Sequence, residues 1–251
     1  MDKPFVDNFT VHSYDTDMNA VLSIHNVVKY FMETAIDHTD DVGYGLKRLV
    51  HENRGWVVLN WIIKMHEYPK YKDNIKISTW ACSGNTLQAT RFFIMEDKNG
   101  NIISEAASRW AFLDLEKRHP VRFSSEMNEA YCCDKQPPFE YGNFFMPKED
   151  EEYLISQNTL VVRRSETDTN GHANNVRYIE WASDQVPDDI YLNYLAEEIR
   201  VLYRKECKYG DIVTVKTYII DDNDKKLIIT SINDNTGKPL CKVSVLWCRR
   251  N

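Results

Sequence analysis

The sequence predicts an α+β fold built from two tandem copies of one unit, each a long central helix wrapped by an antiparallel sheet. Three observations carry this reading. The segment 63–80 (IKMHEYPKYKDNIKISTW) lines up with 201–218 (VLYRKECKYGDIVTVKTY), matching Lys70-Tyr71-x-Asp73 to Lys208-Tyr209-x-Asp211 at an offset of 138 residues. Each copy holds one run with apolar residues at helical spacing. Each then holds four runs rich in Val, Ile, Thr and aromatics that alternate as half-buried strands do.

Taken in order, Val27, Val28, Phe31, Ala35 and Ile36 mark the first helix. Strands are expected at 56–65, 75–81, 88–96 and 102–113. In the second copy Val176, Ile179, Ala182 and Val186 mark the helix, with strands at 198–205, 212–220, 227–232 and 240–249. Asp97-Lys98-Asn99-Gly100 and Asp234-Asn235-Thr236-Gly237 supply the turn between the last two strands of each copy. Matching Val28-Lys29-Tyr30 to Val176-Arg177-Tyr178 gives an offset of 148, so the first copy is expected to carry about ten extra residues after its helix. A long helix followed by a four-stranded antiparallel meander is the pattern of a hotdog domain, and two copies make a tandem double hotdog. The expected boundaries are 1–123 for the first hotdog, 124–152 for a polar linker with Pro137-Pro138 and an acidic run at 149–152, and 153–251 for the second.

Composition excludes several classes of function. The 251 residues are 43% hydrophobic with 9 Gly and 8 Pro, enough for a substantial core. Lys and Arg number 31 against 38 Asp and Glu, a net charge of −7, and no basic block exceeds Arg163-Arg164 or Arg249-Arg250, so no nucleic-acid partner is expected. The longest charge-free stretch, Ile77 to Thr90, is polar and shorter than the ~20 apolar residues of a membrane span. The N-terminus resembles neither a secretory signal nor a transit peptide, which places the expected protein in the cytoplasm. Six cysteines without C-x-x-C spacing argue against a disulfide framework or zinc site, and no cofactor or metal is expected.

Where the copies differ, chemistry is expected. The second copy reads Asp168-Thr169-Asn170-Gly171-His172-Ala173-Asn174-Asn175 before its helix. In an extended chain Asp168, Asn170, His172 and Asn174 would share a face. Asn170-Gly171 also reads as a hairpin turn and Asn174 or Asn175 as an N-cap, which needs no chemistry. A second asymmetry favours the functional reading: Tyr68-Pro69 of the first copy is Glu206-Cys207 in the second, just before the shared Lys-Tyr-x-Asp turn. The remaining histidines (His12, His25, His38, His51, His66 and His119) lack ligand spacing, and the six tryptophans sit mostly in strand-like runs expected to be core.

Asp168-x-Asn170-x-His172-x-Asn174-Asn175-x-x-Tyr178, followed by Tyr203-Arg204-Lys205-Glu206-Cys207, resembles the paired motif of the acyl-acyl carrier protein thioesterases, and the resemblance covers nearly the whole chain. A start directly at the first hotdog resembles the bacterial branch rather than the plant plastid one. The resemblance implies hydrolysis of fatty acyl-acyl carrier protein, with the first hotdog binding the acyl chain and Asp168, Asn170, His172, Glu206 and Cys207 as catalytic candidates. Two mechanisms stand. A carboxylate network of Asp168 with Glu206 drives hydrolysis by water while Cys207 is a spectator, or Cys207 attacks with His172 and Asn170 as in a thiol protease, through an acyl-cysteine. The first is favoured because Glu206 is a base that needs no unusual thiol pKa. Backbone N–H groups at the start of the second helix are a candidate oxyanion site. Arg163, Arg164, Arg177, Arg200, Arg204 and Lys205 form a candidate docking patch for the acidic carrier, with an ordinary solvated surface as the alternative. An acyl-coenzyme A thioesterase, a non-catalytic acyl-binding protein and a hotdog dehydratase are the rival functions; a monomer or a homodimer is expected.

Overall fold

The computed structural model describes residues 3–82, 87–168, 170–222 and 224–250. The chain divides into two compact units, Met1–Gly142 and Asn143–Asn251.

In the first unit β1 (Phe5–Thr10) leads through a short 3-10 turn to α1 (Ile24–Asp41), then α2 (Leu46–His51). The strands β2 (Arg54–Met65), β3 (Asn74–Cys82), β4 (Gln88–Glu96) and β5 (Ile102–Asp114) follow, with the two-residue β6 (His119–Pro120) and α3 (Ser125–Tyr131) after them. The sheet order within the unit is β1-β3-β4-β5-β2. This corrects the simple meander. The strand after the helices pairs with β5, not with β3, because the 66–73 connection first runs past the start of α1, where Leu22 N–H donates to Pro69 C=O at 2.8 Å.

α1 buries Ile24, Val27, Val28, Phe31 and Ala35, the stripe expected from helical spacing, whereas Ile36 is exposed. Phe31 packs its ring 5.0 Å from Phe93 and 6.2 Å from Trp61, so the helix packs against β2 and β4. Of the expected linker 124–152, the first part belongs to this unit. Ser124 caps α3 by accepting from Met127 N–H at 3.1 Å, and Met127 and Tyr131 are buried with Leu49, Phe112 and Phe123. The apolar Met and Tyr at helical spacing explain why a segment polar on average docks.

The second unit repeats the plan. β7 (Leu154–Val161) leads through a 3-10 turn at Arg164–Glu166 to α4 (Asn175–Ser183) and α5 (Asp188–Asn193), then β8 (Tyr194–Tyr203), β9 (Ile212–Asp222), β10 (Lys225–Asp234) and β11 (Pro239–Arg249). Its strands run β7-β9-β10-β11-β8, the same permutation. α4 has 9 residues where α1 has 18, so most of the extra length of the first copy is helix rather than connection. Val186 lies beyond the helix end, in a turn closed by its own N–H on Ser183 C=O.

Candidate active site

The stretch before α4 is a tight hairpin, not the extended strand that alternation suggested. Thr167 pairs with Ala173, Asp168 N–H donates to His172 C=O at 2.8 Å, and Gly171 N–H donates to Asp168 C=O at 3.0 Å. The Asp168 carboxylate accepts the N–H groups of Asn170 (2.8 Å) and His172 (3.1 Å), an Asx-type turn that out-competes extended backbone. Gly171 takes φ +75°, which costs a glycine nothing.

The first unit folds the same way. Thr16 pairs with Leu22, and the Asp17 carboxylate accepts from Asn19 N–H (2.8 Å) and Val21 N–H (3.4 Å). Ala20 stands at φ +60° in place of Gly171. The register before the helices is therefore Asp17 with Asp168, an offset of 151 rather than 148. Asp168 and Asn170 thus have counterparts, Asp17 and Asn19, in the first unit. What the second unit has alone at this turn is His172, where the first has Val21.

His172 meets Glu206 because their strands of chain pair: His172 bridges to Lys208, and Ala173 N–H donates to Cys207 C=O at 2.8 Å. His172 Nε2 lies 3.5 Å from Glu206 Oε2, ion-pair range without hydrogen-bond geometry, and among the described residues this nitrogen is buried with no hydrogen-bond partner. The Glu206 side chain is 41% exposed against 19% for His172, so the carboxylate is the more open to solvent of the two and the imidazole's Nε2 is buried. Asp168 and Asn170 are exposed on the hairpin.

Cys207 is 2% exposed and faces another way. Its Sγ lies 3.1 Å from Tyr178 Oη, and its N–H donates to the same oxygen at 3.1 Å. Burial pushes the thiol up from its ordinary pKa; the Tyr178 contact opposes this, while the negative charges of Asp211 and Glu166 add to it. Asn174 is the helix N-cap, its Oδ1 accepting from Val176 N–H at 3.1 Å and its C=O from Arg177 N–H at 2.9 Å, which uses up two of the donors expected for an oxyanion.

Of the basic residues, Arg177 pairs with Glu180 (2.5 Å), Lys205 with Asp234 (3.5 Å) and Arg200 with Glu198 (2.7 Å). Arg164 lies over the Tyr209 ring at 4.7 Å, and Arg163 and Arg204 are exposed. Pairing leaves Arg163, Arg164 and Arg204 as the cations most open to a partner. Among the described residues no group of three or more His, Cys, Asp or Glu is arranged to hold a metal ion.

Sequence reasoning passed over two features. Tyr178, given no role by the motif and set opposite Tyr30 by the register of 148, is the hydrogen-bond partner of Cys207; a repeat register of 151 sets it opposite Val27. In the first unit His38 is buried with Arg91, whose Nη1 donates to His38 Nδ1 at 2.8 Å. Burial first, then the Arg91 charge, lowers His38 to about 3, and burial lowers Arg91 to about 10.

The chain matches the acyl-ACP thioesterase N-terminal domain over residues 2–131 and the acyl-ACP thioesterase C-terminal domain over residues 148–249. It is 28% identical over 249 residues to the chloroplastic oleoyl-acyl carrier protein thioesterase 2 of Arabidopsis thaliana, covering 92% of this chain and 67% of that one. A chloroplastic palmitoyl-acyl carrier protein thioesterase of Cuphea hookeriana is 27% identical, over 81% of this chain and 52% of the relative. The chain thus spans between half and two thirds of the length of these two plant relatives. An acyl-ACP thioesterase from Bacteroides thetaiotaomicron superposes with a TM-score of 0.85 at 25% identity, covering 96% of each chain. The 12:0-ACP thioesterase of Umbellularia californica, at 20% identity and a TM-score of 0.85 over 98% of this chain and 97% of that one, shares the fold.

Proposed function

The chain belongs to the acyl-ACP thioesterase family and is a thioester hydrolase acting on fatty acyl-acyl carrier protein, and from that premise we propose how its site divides the work. The observation that carries the proposal is the His172–Glu206 pair, present in the second unit and replaced by Val21 and Tyr68 in the first. Glu206, half open to solvent, takes the proton of a water whose oxygen attacks the thioester carbonyl carbon. The C–S bond breaks and the carrier's thiolate leaves, and the proton held on Glu206 passes to that thiolate by way of His172, whose Nε2 lies 3.5 Å from the carboxylate. Asn170, exposed at the hairpin tip, donates to the carbonyl oxygen. Asp168 holds the hairpin through its two backbone contacts and so orients both neighbours. Cys207 is no nucleophile in this reading: burial disfavours its thiolate, and its sulfur is turned to a tyrosine hydroxyl.

The products are free fatty acid and unloaded carrier, which would end fatty acid synthesis on that chain. The acyl chain is assigned to the first unit, supported by its aromatic-rich cluster of Leu49, Phe112, Phe123 and Met127 beside Trp56. The acidic carrier docks on Arg163, Arg164 and Arg204, with Arg177 and Lys205 as weaker, already paired contributors. The six cysteines are free thiols, which suits a reducing compartment, the cytoplasm in this proposal; no helix among the described residues is long and apolar enough to cross a membrane. The test is hydrolysis of one acyl chain presented on acyl carrier protein and on coenzyme A. A higher kcat/KM on the carrier protein is expected; a preference for coenzyme A would install the rival acyl-coenzyme A reading.

A further inference from the structure

The geometry points to Tyr178 as the positioning residue that sets Glu206 against His172, an inference that rests on the proposed roles of that pair. Its basis is a difference between the two units at a shared junction. In both, the residue before the Lys-Tyr-x-Asp turn accepts from the chain leading into the helix: Leu22 N–H donates to Pro69 C=O and Ala173 N–H to Cys207 C=O, each at 2.8 Å. The next residues bridge in both, Val21 with Lys70 and His172 with Lys208.

Pro69 has no N–H, and the helix position facing this junction in the repeat register is Val27, fully buried and apolar. Cys207 does have an N–H, buried with the residue, and a buried amide without an acceptor is costly. Tyr178, one α4 turn into the helix and 2% exposed, supplies that acceptor at 3.1 Å and places the same hydroxyl 3.1 Å from Cys207 Sγ. One hydroxyl thus grips both the amide and the sulfur of the residue next to Glu206.

Tyr178 is itself fixed. Its ring packs edge-on to Trp181 (5.1 Å) and Tyr203 (5.9 Å), and Tyr203 Oη donates to Asn175 C=O at 3.0 Å, tying β8 to the first turn of α4. Trp181 Nε1 donates to Glu166 at 3.0 Å, anchoring the other side of the hairpin. A continuous set of contacts therefore runs from α4 through Tyr178 to the Glu206-Cys207 peptide, and from that peptide through Ala173 to His172. Where the first unit has Pro69 the second has Cys207 with an amide to satisfy, and the tyrosine on α4 turns that amide into the attachment point of the catalytic carboxylate.

The test is Tyr178→Phe, which keeps the ring and removes the hydroxyl. It is expected to lower kcat by about tenfold or more with KM within about twofold. In a Glu206→Gln background the same substitution should change kcat by less than about twofold, because the residue it positions no longer acts as a base. Hydrogen exchange at the Cys207 amide should be slow in the wild-type protein. Wild-type kcat in Tyr178→Phe, an equal loss in the Glu206→Gln background, or rapid exchange of the wild-type Cys207 amide would each overturn the inference. The exchange measurement decides even where Tyr178→Phe does not fold. Failure of the wild-type protein to hydrolyse acyl-acyl carrier protein would instead sink the proposed function, a separate result.

Discussion

Cys207→Ala separates the two chemistries that the motif allows. The substitution removes the Sγ contact to Tyr178 at 3.1 Å and the volume of a thiol that is 2% exposed. It leaves the backbone N–H of residue 207 on Tyr178 and the backbone C=O on Ala173. One lost hydrogen bond and a small cavity cost about 1–2 kcal/mol of stability, a fall of a few degrees in Tm for a chain of this size. The rate should fall by less than about tenfold, because the base and the water it activates are untouched, whereas loss of a covalent nucleophile removes at least about a thousandfold. Steady-state kcat and KM on acyl-acyl carrier protein, with Tm measured on the same sample, read both numbers. A drop in kcat beyond about a thousandfold with the fold intact, together with an acyl adduct on Cys207 in quenched wild-type enzyme, would refute the water mechanism.

Other consequences are equally concrete. His38, held at about 3 in the folded protein against an ordinary value of 6.5, takes up its proton more readily when unfolded. Its contribution to stability is therefore complete above pH 6.5 and is lost as pH falls toward 3, with a slope approaching about 1.4 kcal/mol per pH unit. Denaturant titrations of His38→Gln should lack that slope. Asp15 is buried, which alone would raise its carboxyl, but hydrogen bonds from Tyr30 (2.6 Å) and the His12 amide bring it below the ordinary value of 3.8. Tyr30→Phe should cost about 1.5–3 kcal/mol at neutral pH, and the stability that wild type loses as pH drops below 3.8 should shrink in the variant. Ser124→Ala removes the α3 cap and should cost about 1 kcal/mol in denaturant unfolding. Reversing the charges of Arg163 and Arg164 should lower kcat/KM for the carrier-linked substrate at low salt and leave kcat unchanged; an unaltered kcat/KM removes the docking patch.

The repeat made the architecture legible. The apolar Val, Ile, Thr and aromatic runs located the four strands after the helices of each unit, and the shared Lys-Tyr-x-Asp turn fixed the second half of each unit, whereas β1 and β7, which precede the helices, were not among the expected strands. Sheet order was not legible: nothing in β2 itself says that it pairs with β5 rather than β3. At the site, the contrast at Glu206-Cys207 was readable from sequence. There the hairpin turn at Asn170-Gly171 and the Asn174 N-cap were readable and hold, whereas the extended alternative failed because alternation was applied to residues whose Asp168 carboxylate bonds their own backbone, a local contact that composition does not reveal. That error of three residues in register hid both the equivalence of Asp17 with Asp168 and the exchange of Val27 for Tyr178. The buried His38–Arg91 contact was likewise out of reach, since the two residues come together only when α1 packs on the sheet.

The central claim is that the chemistry resides in the His172–Glu206 pair of the second unit. Its most direct measurement is kcat on acyl-acyl carrier protein for His172→Ala and Glu206→Gln, with Tm and KM recorded for each. The account predicts a loss in kcat of about 10²–10⁴ for either variant, with KM and Tm little changed. Folded variants that retain more than about a tenth of wild-type kcat would contradict it.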